Sequence, residues 1–269
     1  MSRNDCHLQG SFRNIGYTVP KQQGGTGSSP STNGSDTSGG ALRPQIAQSQ
    51  TAPDMTPQVV LEIIDQARRQ EARSGTFFRQ MKAVRLRLPS SVVVDCRQPP
   101  NCLFRFAVEY IEMAPRLIEC VDACAAEAGC KSLFEPFTDA AIRYFTQPSA
   151  QLLRYEGLDG LLIRAYQCHR LMEDMHDNNR SIRASELFDL EAVRANLLVH
   201  QMIGEPFANE LDEAITLTVM KIAGTPDFYD LDLEPFIEQA NNRAWDWMRN
   251  YWENLLVRNH IHFALGSCG

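Results

Sequence analysis

The sequence predicts an all-α protein, a multi-helix bundle with a long disordered N-terminal arm, and three observations predict it. From residue 56 onward, apolar residues recur at helical spacing in run after run. Glycine and proline fall between those runs, where helices start and stop. Only SSVVVDC, residues 90–96, reads as β-like, and it is too short to build a real sheet.

The arm comes first. Residues 22–40 are almost wholly Gly, Ser, Thr, Pro and Asn. A segment with so little apolar surface cannot offset the entropy of ordering it, so residues 1–55 are expected to be disordered. The remainder, 56–269, suits a single all-α domain, with a basic helical pair over 56–88 and an acidic bundle core over 101–265.

Within that domain, TPQVVLEIIDQARRQEARSG predicts a helix with Pro57 in its first turn, an apolar stripe of Val60, Ile63, Ile64 and Ala67, and a stop at Gly75. Thr76 is placed to cap a second helix that Pro89 ends, with Phe77, Phe78, Met81, Val84 and Leu86 turned to the core. A third helix is expected from Asn101 to about Ala128, its stripe Phe106, Tyr110, Met113, Leu117, Cys120 and Cys124 interrupted by Pro115. Ser132 and Glu135 have capping-box spacing before a short helix to Phe145.

The next helix contains LDGLLIRAYQCHRLMEDMHDNNR, residues 158–180, and closes at Asn178-Asn179. After it, the run from Ala192 to Ile203 is apolar on most sides, as a central helix would be, until Gly204-Glu205-Pro206 breaks it. A second half runs from Phe207 to Ile222. Residues 232–265 read as one long final helix with Phe236, Ala240, Ala244, Trp247, Tyr251, Leu255 and His262 on one face, which Trp245, Met248 and Trp252 widen.

Charge divides the chain. Residues 64–87 hold seven cations, Arg68, Arg69, Arg73, Arg79, Lys82, Arg85 and Arg87, against Asp65 and Glu71, an excess of five; with the whole chain at −7, the rest carries −12. The simplest consequence is a basic segment lying on or near an acidic body, with a docking surface for acidic partners as the other use of such a face. Nucleic acid is not the expected partner, because the remainder is acidic.

The residues MSRNDCHLQG lack the basic region and apolar run of a secretory signal, and no stretch reaches the roughly 18 apolar residues of a membrane span. The expectation is a soluble, cytoplasmic protein without a membrane span, its eight cysteines thiols, with export without a cleaved signal left open. Cys120 and Cys124, one turn apart, read as small buried hydrophobes, since no Cys-x-x-Cys pair exists.

Chemistry concentrates in residues 158–180. At about 100° per residue, Leu158, Leu162, Ala165, His169, Met172 and His176 share one stripe, with Glu173 at its flank. Both imidazoles therefore turn inward, and each needs a partner. Glu173 and His176 form Glu-x-x-His, the pair by which helices of carboxylate-bridged di-iron bundles present an oxygen and a nitrogen to one metal, and Glu109 is placed to add a carboxylate. The second half of such a set is missing, because His200 and Glu205 diverge by about 140° on an unbroken helix. The sequence has neither a Gly-rich phosphate loop nor a Gly-x-Ser-x-Gly elbow.

The leading expectation is thus a helical protein-interaction or regulatory protein without a cofactor and not primarily an enzyme, acting through a protein partner or self-association. The first alternative is an iron- or manganese-dependent oxidoreductase with Glu109, Glu173 and His176 as ligands and His169 or His200 beside them. The second is a pocket for a small apolar ligand lined by His169, Met172 and His176.

Overall fold

The computed structural model describes residues 56–185, 187–224, 226–241 and 243–264; the disorder expected of residues 1–55 lies outside them. Helix α1 spans Pro57–Ser74, with a proline at its first position, where the missing N–H has no helical acceptor to lose. Gly75, at φ 59°, ends it in the left-handed conformation. Helix α2, Thr76–Arg87, follows at once, and its cap differs from the one expected. Thr76 is not the cap. Glu71, buried one turn before the end of α1, accepts from the backbone N–H of Phe77 and of Phe78, each at 2.9 Å. A carboxylate thereby satisfies two orphan donors at the positive end of α2 and locks the corner.

Phe77, Met81 and Val84 set the buried stripe of α2, and Pro89 ends it after an extended Leu88. Leu86, expected on the core, stands about 200° around the helix from Val84 and is 88% exposed. Strand β1, Val92–Val94, then leads to α3, Pro99–Glu127, which opens on the Pro99-Pro100 pair and runs unbroken past a buried Pro115. Helix α4, Lys131–Thr146, begins one residue before Ser132, so the anticipated Ser132–Glu135 capping box does not form.

After a 3-10 turn at Leu152–Arg154 come α5, Gly157–Asp177, and the short α6, Arg180–Arg183. Helices α7, Leu190–Ile203, and α8, Phe207–Ile222, flank the break at Gly204, whose φ is 89°. Asn179 and Asp189 cap α6 and α7 by accepting from Ile182 and Ala192. Helix α9, Pro226–Asp230, completes that half.

Three expectations for the remainder give way. The long helix over 232–265 is α10, Glu234–Ala240, and α11, Arg243–Arg258, followed by strand β2, Ile261–Phe263. The break resets the phase: Trp245, Met248, Trp252, Leu255 and Leu256 are buried, whereas Trp247 is 43% exposed. Strand β2 pairs antiparallel with β1, Val94 opposite Ile261, so the β-like run is half of a two-stranded ribbon that brings the end of α11 back to the start of α3.

The central helix is α5 rather than α7. It packs against α1, α3, α4, α7 and α8, and most of its 21 residues are buried. Val193 and Leu197 leave α7 with an exposed apolar edge. The thiol expectation also changes, since Cys96, in the connector after β1, and Cys102, in α3, are joined as a disulfide. Cys120, Cys124, Cys130 and Cys168 are not disulfide-bonded, and Cys6 and Cys268 lie outside the described residues. No described helix is long and apolar enough to cross a membrane.

The corner at Gly75 yields a stability prediction. Glu71→Ala strands two donors, one of them buried, and is expected to cost about 1–3 kcal/mol in urea unfolding. Glu71→Gln keeps one acceptor oxygen and should cost less.

Candidate functional site

The polar groups that α5 presents on several faces join into one chain of contacts through the bundle. Its dry end lies on α3. Tyr110 donates its hydroxyl to Asn196 Oδ1 of α7 at 2.8 Å, and Asn196 Nδ2 donates to Glu173 Oε2 at 2.5 Å. One turn earlier on α5, Arg170 gathers three carboxylates: Glu173 at 2.7 Å, Asp174 at 3.1 Å and Asp212 of α8 at 3.5 Å. Thr216 donates to the other oxygen of Asp174 at 3.0 Å. Burial alone would lower the Arg170 pKa, but Glu173 and Asp174 outweigh it and hold the guanidinium charged. Burial raises Asp174, with Arg170 opposing that shift.

The other end is wetter. Tyr166 donates to Asp212 Oδ1 at 2.7 Å, and its oxygen lies 3.0 Å from His200 Nδ1, which is also 3.2 Å from Asp212 Oδ2. A hydroxyl whose proton goes to the carboxylate accepts from the Nδ1–H of the imidazole, leaving Nε2 outward. Because the helix stops after Ile203, Glu205 returns to within 3.9 Å of that Nε2, although the two residues diverge on an unbroken helix. Burial drives the Tyr166 hydroxyl far above its ordinary range, and hydrogen bonding to Asp212 adds to this, so it stays protonated.

The sequence-derived candidates are placed as follows. His169 is fully buried, its ring 4.3 Å from Tyr110 and 5.0 Å from Trp252 between centroids, and its Nε2–H donates to the Tyr110 carbonyl at 3.1 Å. Its Nδ1 is buried without a partner, and burial pushes the pKa down to about 4 despite that carbonyl bond. His176 donates from Nδ1 to Asp177 at 3.1 Å, and its ring lies 5.4 Å from Phe188. Met172 is fully buried. Inward-facing imidazoles are thus as the helix spacing requires.

Glu109 is held elsewhere. Its Oε2 accepts from Arg258 Nε at 2.8 Å and Asn259 Nδ2 at 2.9 Å, a clamp between α3 and the end of α11. Glu173 and His176 stay on one face of α5, but Glu173 is occupied by Arg170 and Asn196. A metal ligand needs its lone pairs free, whereas each carboxylate already spends one oxygen, Oε2, on two nitrogen donors. Among the described residues, no group of three or more His, Cys, Asp and Glu side chains is placed to hold a metal ion.

Asn196, Arg170, Asp174 and Asp212 were missed as partners. Asn196 carried a signal, being polar within the apolar run from Ala192 to Ile203, and Arg170 with Asp174 has ion-pair spacing on a helix. The thiol chemistry of α3 is muted, because burial raises Cys124 to about 12 and Cys120 to about 11, so both stay protonated near neutrality.

The basic pair behaves differently from the interior. Arg68 pairs with Glu112, and Arg87 donates to the Met202 carbonyl at 2.7 Å beside Asp159. Arg69, Arg73, Arg79, Lys82 and Arg85 make no ion pair among the described residues. The basic segment therefore discharges little of its charge onto the acidic body. Comparisons with family models, curated proteins and solved structures find no match for this chain.

His169 gives a pH dependence with a definite sign. The folded state holds it neutral while the unfolded chain takes up a proton below about 6.5, so its contribution is present above that pH and is lost as pH falls toward about 4. The depression amounts to about 3 kcal/mol. His169→Phe should flatten the urea-unfolding free energy between pH 6.5 and pH 4 relative to the parent; an unchanged slope contradicts a buried neutral ring.

Proposed function

We propose that this protein is a helical interaction protein whose basic α1–α2 surface docks an acidic protein partner, another copy of the chain being one such surface. The observation that carries this reading is the set of cations at Arg69, Arg73, Arg79, Lys82 and Arg85, without an ion pair among the described residues, on a helix pair whose Leu86 is 88% exposed. Surface cations without ion pairs and an exposed apolar side chain on the same helix pair suit an interface with an anchor and a charged rim. The interior charges of Arg170, Glu173, Asp174 and Asp212, by contrast, are engaged with one another and support the fold.

Charge arithmetic favours a protein over a nucleic acid. With −12 on the rest of the chain, a polyanion as dense as a duplex meets repulsion beyond the basic pair, while a local acidic patch does not. Long-range steering of that kind sets association rate and salt dependence more than final affinity.

The test uses the full chain, a fluorescent oligoglutamate peptide and a short DNA duplex. The peptide should bind with an affinity that falls as salt rises. Arg69→Glu with Arg73→Glu and Lys82→Glu should weaken it about tenfold or more while leaving the melting temperature nearly unchanged, since exposed substitutions rarely move stability by more than about 0.5 kcal/mol. Equal binding by the parent and the charge-reversed chain, or tighter binding of the duplex, overturns the reading.

A further inference from the structure

Helix geometry fixes the outer face of α2. Arg79, Lys82 and Leu86 fall at i, i+3 and i+7, nearly opposite the buried Phe77, Met81 and Val84. An exposed apolar side chain is thus in line with two cations. Arg79 donates to Thr76 Oγ1 at 3.2 Å and Lys82 lies 5.9 Å from the centre of the Phe78 ring, contacts that leave both charges in place. On α1, Arg69 and Arg73 add a second exposed pair one turn apart.

A surface of opposite sign lies elsewhere on the chain. Residues 229–238 hold four carboxylates, Asp230, Asp232, Glu234 and Glu238, and no cation. All four residues are exposed, and none makes an ion pair among the described residues. Tyr229 and Leu231 stand exposed among them. The segment is also held in place. Buried Asn179 donates to the carbonyls of Phe228 and Leu231 at 2.7 and 3.0 Å, and Phe236 stacks on Phe134 of α4 at 4.2 Å between ring centroids. Little ordering entropy is left for such a segment to lose on docking.

The two surfaces do not neutralise each other within one chain. Phe77 and Phe78 of α2 pack on Phe104, near the start of α3, at 5.9 and 5.7 Å between ring centroids, whereas α10 stacks on Phe134, beyond the end of that 29-residue helix. At 1.5 Å per residue α3 is about 43 Å long, and it holds the two surfaces apart. The chain thus carries, on itself, exposed carboxylates beside apolar anchors, the chemistry that its basic face calls for. The net charge of −7 repels one copy from another. At about 0.1 M salt, charges more than about 10 Å apart are largely screened, so that repulsion fades while pairs across a contact persist.

We propose that the acidic partner is a second copy of this chain, whose residues 229–238 dock on the α1–α2 face, with Tyr229 and Leu231 meeting Leu86 inside a rim of opposite charges. This rests on the docking reading above and names its partner. Each copy carries one surface of each kind, so association closes as a reciprocal pair or a ring and otherwise extends with concentration.

The experiment uses the full chain at about 0.1 M salt and follows its mass by sedimentation. The parent should associate as its concentration rises to about 0.5 mM, the range of a weak, transient contact. Arg69→Glu with Arg73→Glu and Lys82→Glu should weaken self-association about tenfold or more. So should Asp230→Lys with Glu234→Lys and Glu238→Lys, a set that spares Asp232, whose Oδ1 accepts from the Glu234 N–H at 3.0 Å. Mixed together, the two variants should associate as the parent does, because each supplies the charge that the other has lost, and that recovery shows both to be folded. The acid-reversed chain should also keep its affinity for oligoglutamate. A parent that stays monomeric to about 0.5 mM, undiminished self-association in either variant alone, or a mixture that stays monomeric overturns the second copy as partner. Binding of oligoglutamate to such a monomer leaves the basic docking surface standing, whereas loss of both removes the docking reading as well.

Discussion

The fold depends on one arrangement, the guanidinium of Arg170 set among Glu173, Asp174 and Asp212. Removing an ion from water costs several kcal/mol, and the attraction between ions offsets this only when geometry is good and the remaining lone pairs are met. Here they are met by Asn196 and Thr216. The consequence is positional. Helix α7 must present Asn196 and α8 must present Asp212 and Thr216 at particular heights against α5, or charges are stranded in the interior.

Apolar packing by itself leaves more freedom. Apolar stripes on α3, α4 and α5 supply many of the buried side chains, but a helix buried over most of its surface, as α5 is, slides or rotates at modest cost if only apolar contacts hold it. The chain of contacts from Tyr110 through Asn196, Glu173, Arg170 and Asp212 to Tyr166 and His200 removes that freedom for three neighbouring helices at once. Two smaller clamps act at the margins: Glu71 at the α1–α2 corner, and Glu109 with Arg258 and Asn259 where α11 returns to α3. Outside these clamps, Arg69, Arg73, Arg79, Lys82 and Arg85 of α1 and α2 make no ion pair among the described residues.

Much of this was legible in residue order where a local rule decides the outcome. Pro57, Gly75, Pro89 and Gly204 mark helix boundaries by removing a donor or permitting a left-handed turn, and the structure places boundaries there. The inward turn of His169 and His176 follows from helix spacing alone. What failed depends on neighbours. Periodicity reports one apolar face, so it cannot show that α5 is buried over most of its surface. It also made α7 the central helix, although Val193 and Leu197 are exposed. The break between α10 and α11 lacks glycine and proline, and its one local signal, the pair Asn241-Asn242, goes unread although the like pair Asn178-Asn179 is taken as a helix end. Glu109 and Glu173 have the residue types of a metal set, but Arg258, Asn259, Arg170 and Asn196 reach them from positions that spacing does not reveal.

The most direct measurement of the central constraint is a double-mutant cycle on Arg170→Met and Glu173→Gln, read by urea unfolding at neutral pH. Arg170→Met leaves three carboxylates without their cation and should cost about 3–5 kcal/mol, Glu173→Gln leaves Arg170 with Asp174 and Asp212 and should cost less, and the double variant should be destabilised by less than the sum, with a coupling of about 1.5–3 kcal/mol. Losses that simply add, or single variants as stable as the parent, would contradict the claim that this ion cluster holds α5 in register with its neighbours.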